Sequence, residues 1–203
     1  MKVYASILQS NVLDLSADIE RYLSYGVDGI HLDVMDGHYV PQMAFGQSWI
    51  KHISHAFSCP LHVHLMVSQV SVELVQECVE GGASCVMVHP KTWTGSLDQW
   101  QSLSEICELM VVINPHEASS DFTLMTQVAS GVMLMCVQPG RSGGSFIPEV
   151  LHDVQVNTTN LWLDGGIGMA QRSLIQSVAP TGVVIGSALE TSDAARMVRL
   201  YQG

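Results

Sequence analysis

GIHLDVMDGHYVP, residues 29–41, has the rhythm of a buried strand but carries residues that such a strand seldom holds. In an extended segment successive side chains point to opposite faces. Ile30, Leu32 and Val34 therefore share one face, and His31, Asp33 and Met35 share the other. The first face is ordinary packing. The second holds a base, an acid and a thioether.

The same rhythm recurs along the chain. Strands are predicted near 3–8 (VYASIL), 29–35 (GIHLDVM), 61–67 (LHVHLMV) and 85–90 (CVMVHP). Four more are predicted near 110–114 (MVVIN), 131–137 (GVMLMCV), 161–164 (LWLD) and 182–186 (GVVIG). Between them lie helix-like stretches such as LSADIERYLSYG and SVELVQECVEGG, with apolar residues every three or four positions. Gly26, Gly81 and Gly82 stand where helix C-terminal signals belong. Eight strands alternating with helices imply a parallel sheet, most simply closed as a (β/α)8 TIM barrel. A doubly wound open sheet is the other arrangement the pattern allows. No linker or composition shift divides the chain, so residues 1–203 are expected to form a single barrel domain.

Composition narrows the partners. Hydrophobic residues make up 47% of the 203 and charged residues 13%, the balance of a globular chain. No apolar run approaches the ~20 residues of a membrane span, and MKVYASIL lacks the features of a signal peptide. The five cysteines (59, 78, 85, 107 and 136) follow no framework spacing, which fits reduced thiols in a cytoplasmic protein. A formal net charge of −11 argues against nucleic acid or an anionic membrane as partner. An anionic small molecule would have to be caught by local dipoles.

In a barrel, sites form at the C-terminal strand ends and the loops that follow them. Here those ends read MDGHYVP, MVSQ, HPKTW, NPHE, QPGRSGGS, DGGIG and GSALE. In LHVHLMV the alternation repeats, with His62, His64 and Met66 on one face. LWLD ends in Asp164. A lone buried histidine is most often a hydrogen-bonded core residue. Two imidazoles and two carboxylates on inward positions of three strands instead suit a divalent transition metal.

HLDVMDGHYVP, LHVHLMV, QPGRSGGSFIPEV and DGGI resemble the motifs of the ribulose-phosphate 3-epimerase family, in the family's order from ASIL (5–8) to GSAL (186–189). The resemblance implies a (β/α)8 barrel that interconverts D-ribulose 5-phosphate and D-xylulose 5-phosphate. It also implies one divalent metal ion, with zinc ahead of iron, manganese or cobalt, and a homo-oligomer. His31, Asp33, His64 and Asp164 match the family's metal ligands, and Asp33 and Asp164 its acid/base pair. Ser6, His64, Met35, Met66 and Met135 match substrate-pocket residues. Gly140, Arg141, Ser142, Gly143, Gly144, Gly165, Gly166, Gly186 and Ser187 fall in the three loops that hold the phosphate, where glycine lets the backbone approach an anion.

Several positions depart from the family. QPGRSGG stands for the usual NPGFGGQ, changing Gln138, Arg141, Ser142 and Gly144. Ala5 replaces a proline, Lys91 a glutamate and His62 an aspartate. The segment after FIPEV is shorter, so the sixth helix should be cut down. Arg141 could contact the phosphate, or point to solvent from an exposed loop tip. The alternatives are an epimerase of D-allulose 6-phosphate and a non-catalytic sugar-phosphate-binding relative. Hexulose-phosphate synthases and related decarboxylases use Asp-x-Lys-x-x-Asp, whereas this chain reads Asp33-Val34-Met35-Asp36.

Overall fold

The computed structural model describes residues 1–140, 143–151 and 158–203. The chain runs β1 (Lys2–Ser6), α1 (Leu15–Ser24), β2 (Gly29–Asp36), β3 (Met43–Ala44), α2 (Gln47–Ala56), β4 (Leu61–Met66), α3 (Val72–Glu80) and β5 (Cys85–Val88). It continues through α4 (Leu97–Ser104), β6 (Glu108–Ile113), α5 (Thr123–Val128), β7 (Gly131–Met135), β8 (Leu161–Asp164), α6 (Arg172–Val178), β9 (Gly182–Ile185) and α7 (Ala194–Gln202). Neighbouring strands pair in parallel from β1 to β9, back through β8, β7, β6, β5 and β4 to β2, and β1 also pairs with β2, which closes an eight-stranded barrel. The open-sheet alternative is thereby excluded.

Strand ends differ from the sequence expectation in instructive ways. β5 stops at Val88 because Pro90, which has no N–H to give the ladder, opens a 3-10 turn over Pro90–Thr92. β3 is an addition: its two residues pair antiparallel with Met35 and Asp36 and extend one lip of the barrel. A strand this short has no periodicity to read. Between β7 and β8 the described residues hold only a 3-10 turn, Pro148–Leu151. The shortened sixth helix expected there falls partly on residues 152–157, which lie outside the described residues.

Two apolar layers hold the barrel. Outward-facing Ile30, Leu32, Val63, Leu65, Val86 and Val88 pack against helix residues such as Ile19, Val75 and Trp100, all fully or nearly fully buried. Each such side chain stabilises the fold by roughly 1.5–3 kcal/mol. Inside the barrel, a separate cluster of Tyr4, Met87, Met110, Met133, Trp162 and Val184 fills the lumen below the mouth. The helices start where the sequence provides caps. Ser96 Oγ accepts the Gln99 N–H (3.2 Å) while Gln99 Oε1 accepts the Ser96 N–H (2.8 Å), a reciprocal cap on α4.

The lumen floor leaves little slack. A Cβ added at Gly29 would lie 2.4 Å from the Tyr4 ring and 2.6 Å from the Pro60 carbonyl oxygen. The Tyr4 ring is held by stacking on His62 at 3.9 Å and cannot swing aside freely. Gly29→Ala should therefore destabilise the protein by about 1–3 kcal/mol, read as a lower urea midpoint. An unchanged midpoint would mean that the floor yields.

Candidate active site

The barrel registers bring the predicted residues together. Asp33 of β2 lies opposite His64 of β4, Ser6 of β1 opposite His31, and Met135 of β7 opposite Asp164 of β8. Because all of them occupy inward positions near the C-terminal strand ends, their heads meet at the mouth. His31, Asp33, His64 and Asp164 each offer one ligand atom, and these four atoms lie within 4.8 Å of one another.

His64 is held at both nitrogens. Its Nδ1 faces Asp33 Oδ1 at 3.1 Å, and its Nε2 lies 2.9 Å from His89 Nε2. Of two imidazole nitrogens so close, one must donate and the other accept. Burial, with the His64 ring adding to it, pushes the His89 imidazole well below its ordinary range, so His89 is neutral. In the sequence His89 stands only as a residue at the end of a predicted strand. The alternation Cys85, Met87, His89 was the signal that it points inward.

The two aspartates have opposite tendencies. Burial alone would raise Asp33, but the His31 and His64 imidazoles outweigh it and hold the carboxyl well below the usual range. Ser6 Oγ also donates to Asp33 Oδ2 at 2.9 Å. Asp164 is pushed up to about 6, chiefly by burial and further by the Asp33 charge, with His31 and His64 pulling the other way. His31 contributes an open valence: it is fully buried, and neither ring nitrogen has a hydrogen-bond partner. Its Nε2 is 3.3 Å from Asp33 Oδ1 without hydrogen-bond alignment. Orphaned buried imidazole nitrogens are costly unless something binds them. An N2O2 donor set of this kind fits Zn, Fe, Mn or Co.

Above these groups opens a pocket. Ser6, Asp33, Met35, Met66, Met135 and Asp164 line its inner wall. Gly140, Gly143 and Gly144 from the loop after β7, Gly165 and Gly166 after β8, and Gly186 and Ser187 after β9 line the other. Leu8, Gln9, Val137 and Ile167 also line it and were not singled out in the sequence. His31 and His64 lie behind the pocket, both at 0% exposure. Arg141 and Ser142 lie outside the described residues. The loop after β8 requires glycine. Gly165 and Gly166 have φ of +105° and +65°, and a Cβ on Gly166 would meet the Phe146 backbone nitrogen at 2.8 Å.

Asp36, in the same motif, is a fastener. Its carboxylate accepts the Ser68 N–H and O–H, both at 2.7 Å, and the His38 and Tyr39 N–H groups, both at 2.9 Å. These bonds outweigh partial burial and hold it well below the usual range, tying the loop after β2 to the loop after β4. Lys91 pairs with Glu117 at 2.8 Å.

Metal affinity should fall with pH in a defined window. Asp164 keeps its proton below about 6, and a metal ion must displace that proton to bind. Titration with Co2+ from pH 8 to pH 5 should show affinity dropping steeply below about 6. Equal affinity at both ends would remove Asp164 from the ligand set.

The profile of the Ribulose-phosphate 3 epimerase family matches residues 2–190. Ribulose-phosphate 3-epimerase of Escherichia coli is 31% identical over 195 residues, covering 91% of this chain and 86% of that one. The enzyme of the same name from Buchnera aphidicola (Schizaphis graminum) is 30% identical over 197 residues, with the same coverage. Among solved structures, 3-keto-L-gulonate-6-phosphate decarboxylase from Vibrio cholerae superposes with a TM-score of 0.73 at 15% identity, covering 99% of this chain and 95% of that one. 3-Hexulose-6-phosphate synthase from Salmonella typhimurium reaches 0.71 at 16%, covering 99% and 96%. These structures share the barrel alone. The sequence relatives match across 91% of the chain, and this protein belongs to the ribulose-phosphate 3-epimerase family, a family of isomerases.

Proposed function

We propose that this protein is a metal-dependent 3-epimerase of a ketose phosphate, interconverting D-ribulose 5-phosphate and D-xylulose 5-phosphate. The observation that carries the proposal is the pair of buried aspartates from β2 and β8 that line one pocket, with the His31 and His64 ligand atoms within 4.8 Å of theirs.

Inversion at C3 removes a proton from one face of the carbon and delivers another to the opposite face. Two groups must flank it. Asp33, held ionised by its imidazole neighbours and the Ser6 hydroxyl, takes the proton in one direction. Asp164, across the mouth, delivers a proton to the other face. The roles exchange in the reverse reaction. Held by His31, Asp33, His64 and Asp164, a divalent metal supplies Lewis-acid neutralisation of the charge that develops on the substrate oxygens. Met35, Met66 and Met135 form a soft wall that keeps water from the deprotonated carbon. Glycine backbone in the loops after β7, β8 and β9 receives the phosphate at the far side of the pocket. The missing lysine at Met35 speaks against the synthase and decarboxylase chemistry of the structural neighbours.

Coupled turnover of D-ribulose 5-phosphate by metal-loaded protein, run beside D-allulose 6-phosphate, tests the proposal. Turnover of the first is expected to dominate, with solvent deuterium entering C3. Product without label at C3 would rule out deprotonation, and turnover of neither sugar would favour the non-catalytic reading. Asp33→Asn and Asp164→Asn should each lower kcat by about 10²–10⁴-fold. Gly166→Ala should act differently, raising KM by about tenfold or more while kcat changes less, because it disturbs the anion loop and not the proton carriers. An equal loss in both parameters would remove that loop from ground-state binding.

A further inference from the structure

A second group of ligating side chains lies at the opposite end of the lumen. His62 of β4, Cys85 of β5 and Glu108 of β6 are direct neighbours in register, His62 opposite Cys85 and Cys85 opposite Glu108. One imidazole nitrogen, the Cys85 thiol sulfur and one carboxylate oxygen lie within 4.8 Å of one another. His62 is 3% exposed, and its Nδ1 is buried with no hydrogen-bond partner. That orphaned nitrogen is a second, independent sign that a ligand belongs here. The His62 ring is fixed by stacking on Tyr4 at 3.9 Å and by an edge contact with Trp162 at 4.7 Å, so the site is preorganised from above. Glu108 is exposed, which leaves a path in from solvent at the N-terminal rim.

We propose that His62, Cys85 and Glu108 form a second divalent-metal site, of the mixed N, S, O kind that takes Zn2+, at the floor of the barrel. A thiolate with an imidazole and a carboxylate is a strong zinc donor set, and three protein ligands with one water complete a tetrahedron. On binding, the Cys85 S–H bond breaks, its proton passes to solvent and a metal–sulfur bond forms. The site is distinct from the one at the mouth. His62 and His64 are two residues apart on β4, about 6–7 Å along the strand, and no cysteine belongs to the upper group among the described residues.

Cobalt separates the two sites, because only a cysteine ligand gives a thiolate-to-Co2+ charge-transfer band in the near ultraviolet. Co2+ titration of the wild-type protein is expected to show two equivalents, one of them carrying that band. His64→Ala should keep the band and lose the other equivalent. Cys85→Ser should lose the band and keep the upper equivalent. Glu108→Gln, at an exposed position that does not endanger folding, should weaken the band-carrying equivalent by at least about tenfold. A single equivalent without a thiolate band, or a band that survives Cys85→Ser, would overturn the second site and leave the upper one standing. Loss of the upper equivalent alone from wild type, with the band intact, would overturn the upper site and leave this one.

Discussion

The Asp33 carboxylate, only 4% exposed, imposes the condition that the rest of the mouth satisfies. An ionised carboxylate out of water is tolerated only if donors and opposite charge surround it. Three strands meet that need at once: Ser6 from β1 donates an O–H, His64 from β4 turns a nitrogen to it, and His31 from its own strand sits beside it. β2 pairs with β1 on one edge and with β4 on the other, and that register puts the three strands next to one another. Asp164, across the mouth, receives no side-chain hydrogen bond among the described residues and is pushed up instead. The same residue type acquires two chemical characters from its neighbours.

Much of this was legible because a strand's period of two translates directly into inside and outside. GIHLDVM and LHVHLMV each announce an apolar face and a polar face, and eight repeats announce a parallel sheet, but closure rests on the β1–β2 pairing, which no pattern carries. The predicted pocket residues within the described chain gather as expected, with the histidines set behind the pocket and not in its wall. What escaped were features with no periodic signature. β3 is too short to show one. His89 lies one residue beyond its strand, where a proline ends the ladder. Which nitrogen of His64 faces the carboxylates depends on a contact with His89, 25 positions along the chain, and no local pattern carries it.

The departures from the family pattern follow the same logic. His62 occupies an inward position one layer below the mouth, so its change alters the floor and leaves the upper four ligand groups intact. Lys91 and Glu117 exchange charge at the rim, compensating each other locally. Arginine and lysine are scarce in the chain, eight against nineteen acidic residues, so its overall charge repels anions.

The barrel is lined with sulfur at two depths, and this has a consequence for how the protein ages. Met87, Met110 and Met133 are sealed in the lumen at 0% exposure. Met35, Met66 and Met135 border the open pocket. A peroxide that enters with the solvent meets the upper three first, and each sulfoxide would put a polar, chiral S=O group into a wall that is otherwise dry. The fold, carried by the sealed layer and the helices, would outlast that damage. Oxidative wear would therefore appear as a folded protein with a spoiled pocket, restored only by a reductase able to reach sulfoxides at the barrel mouth.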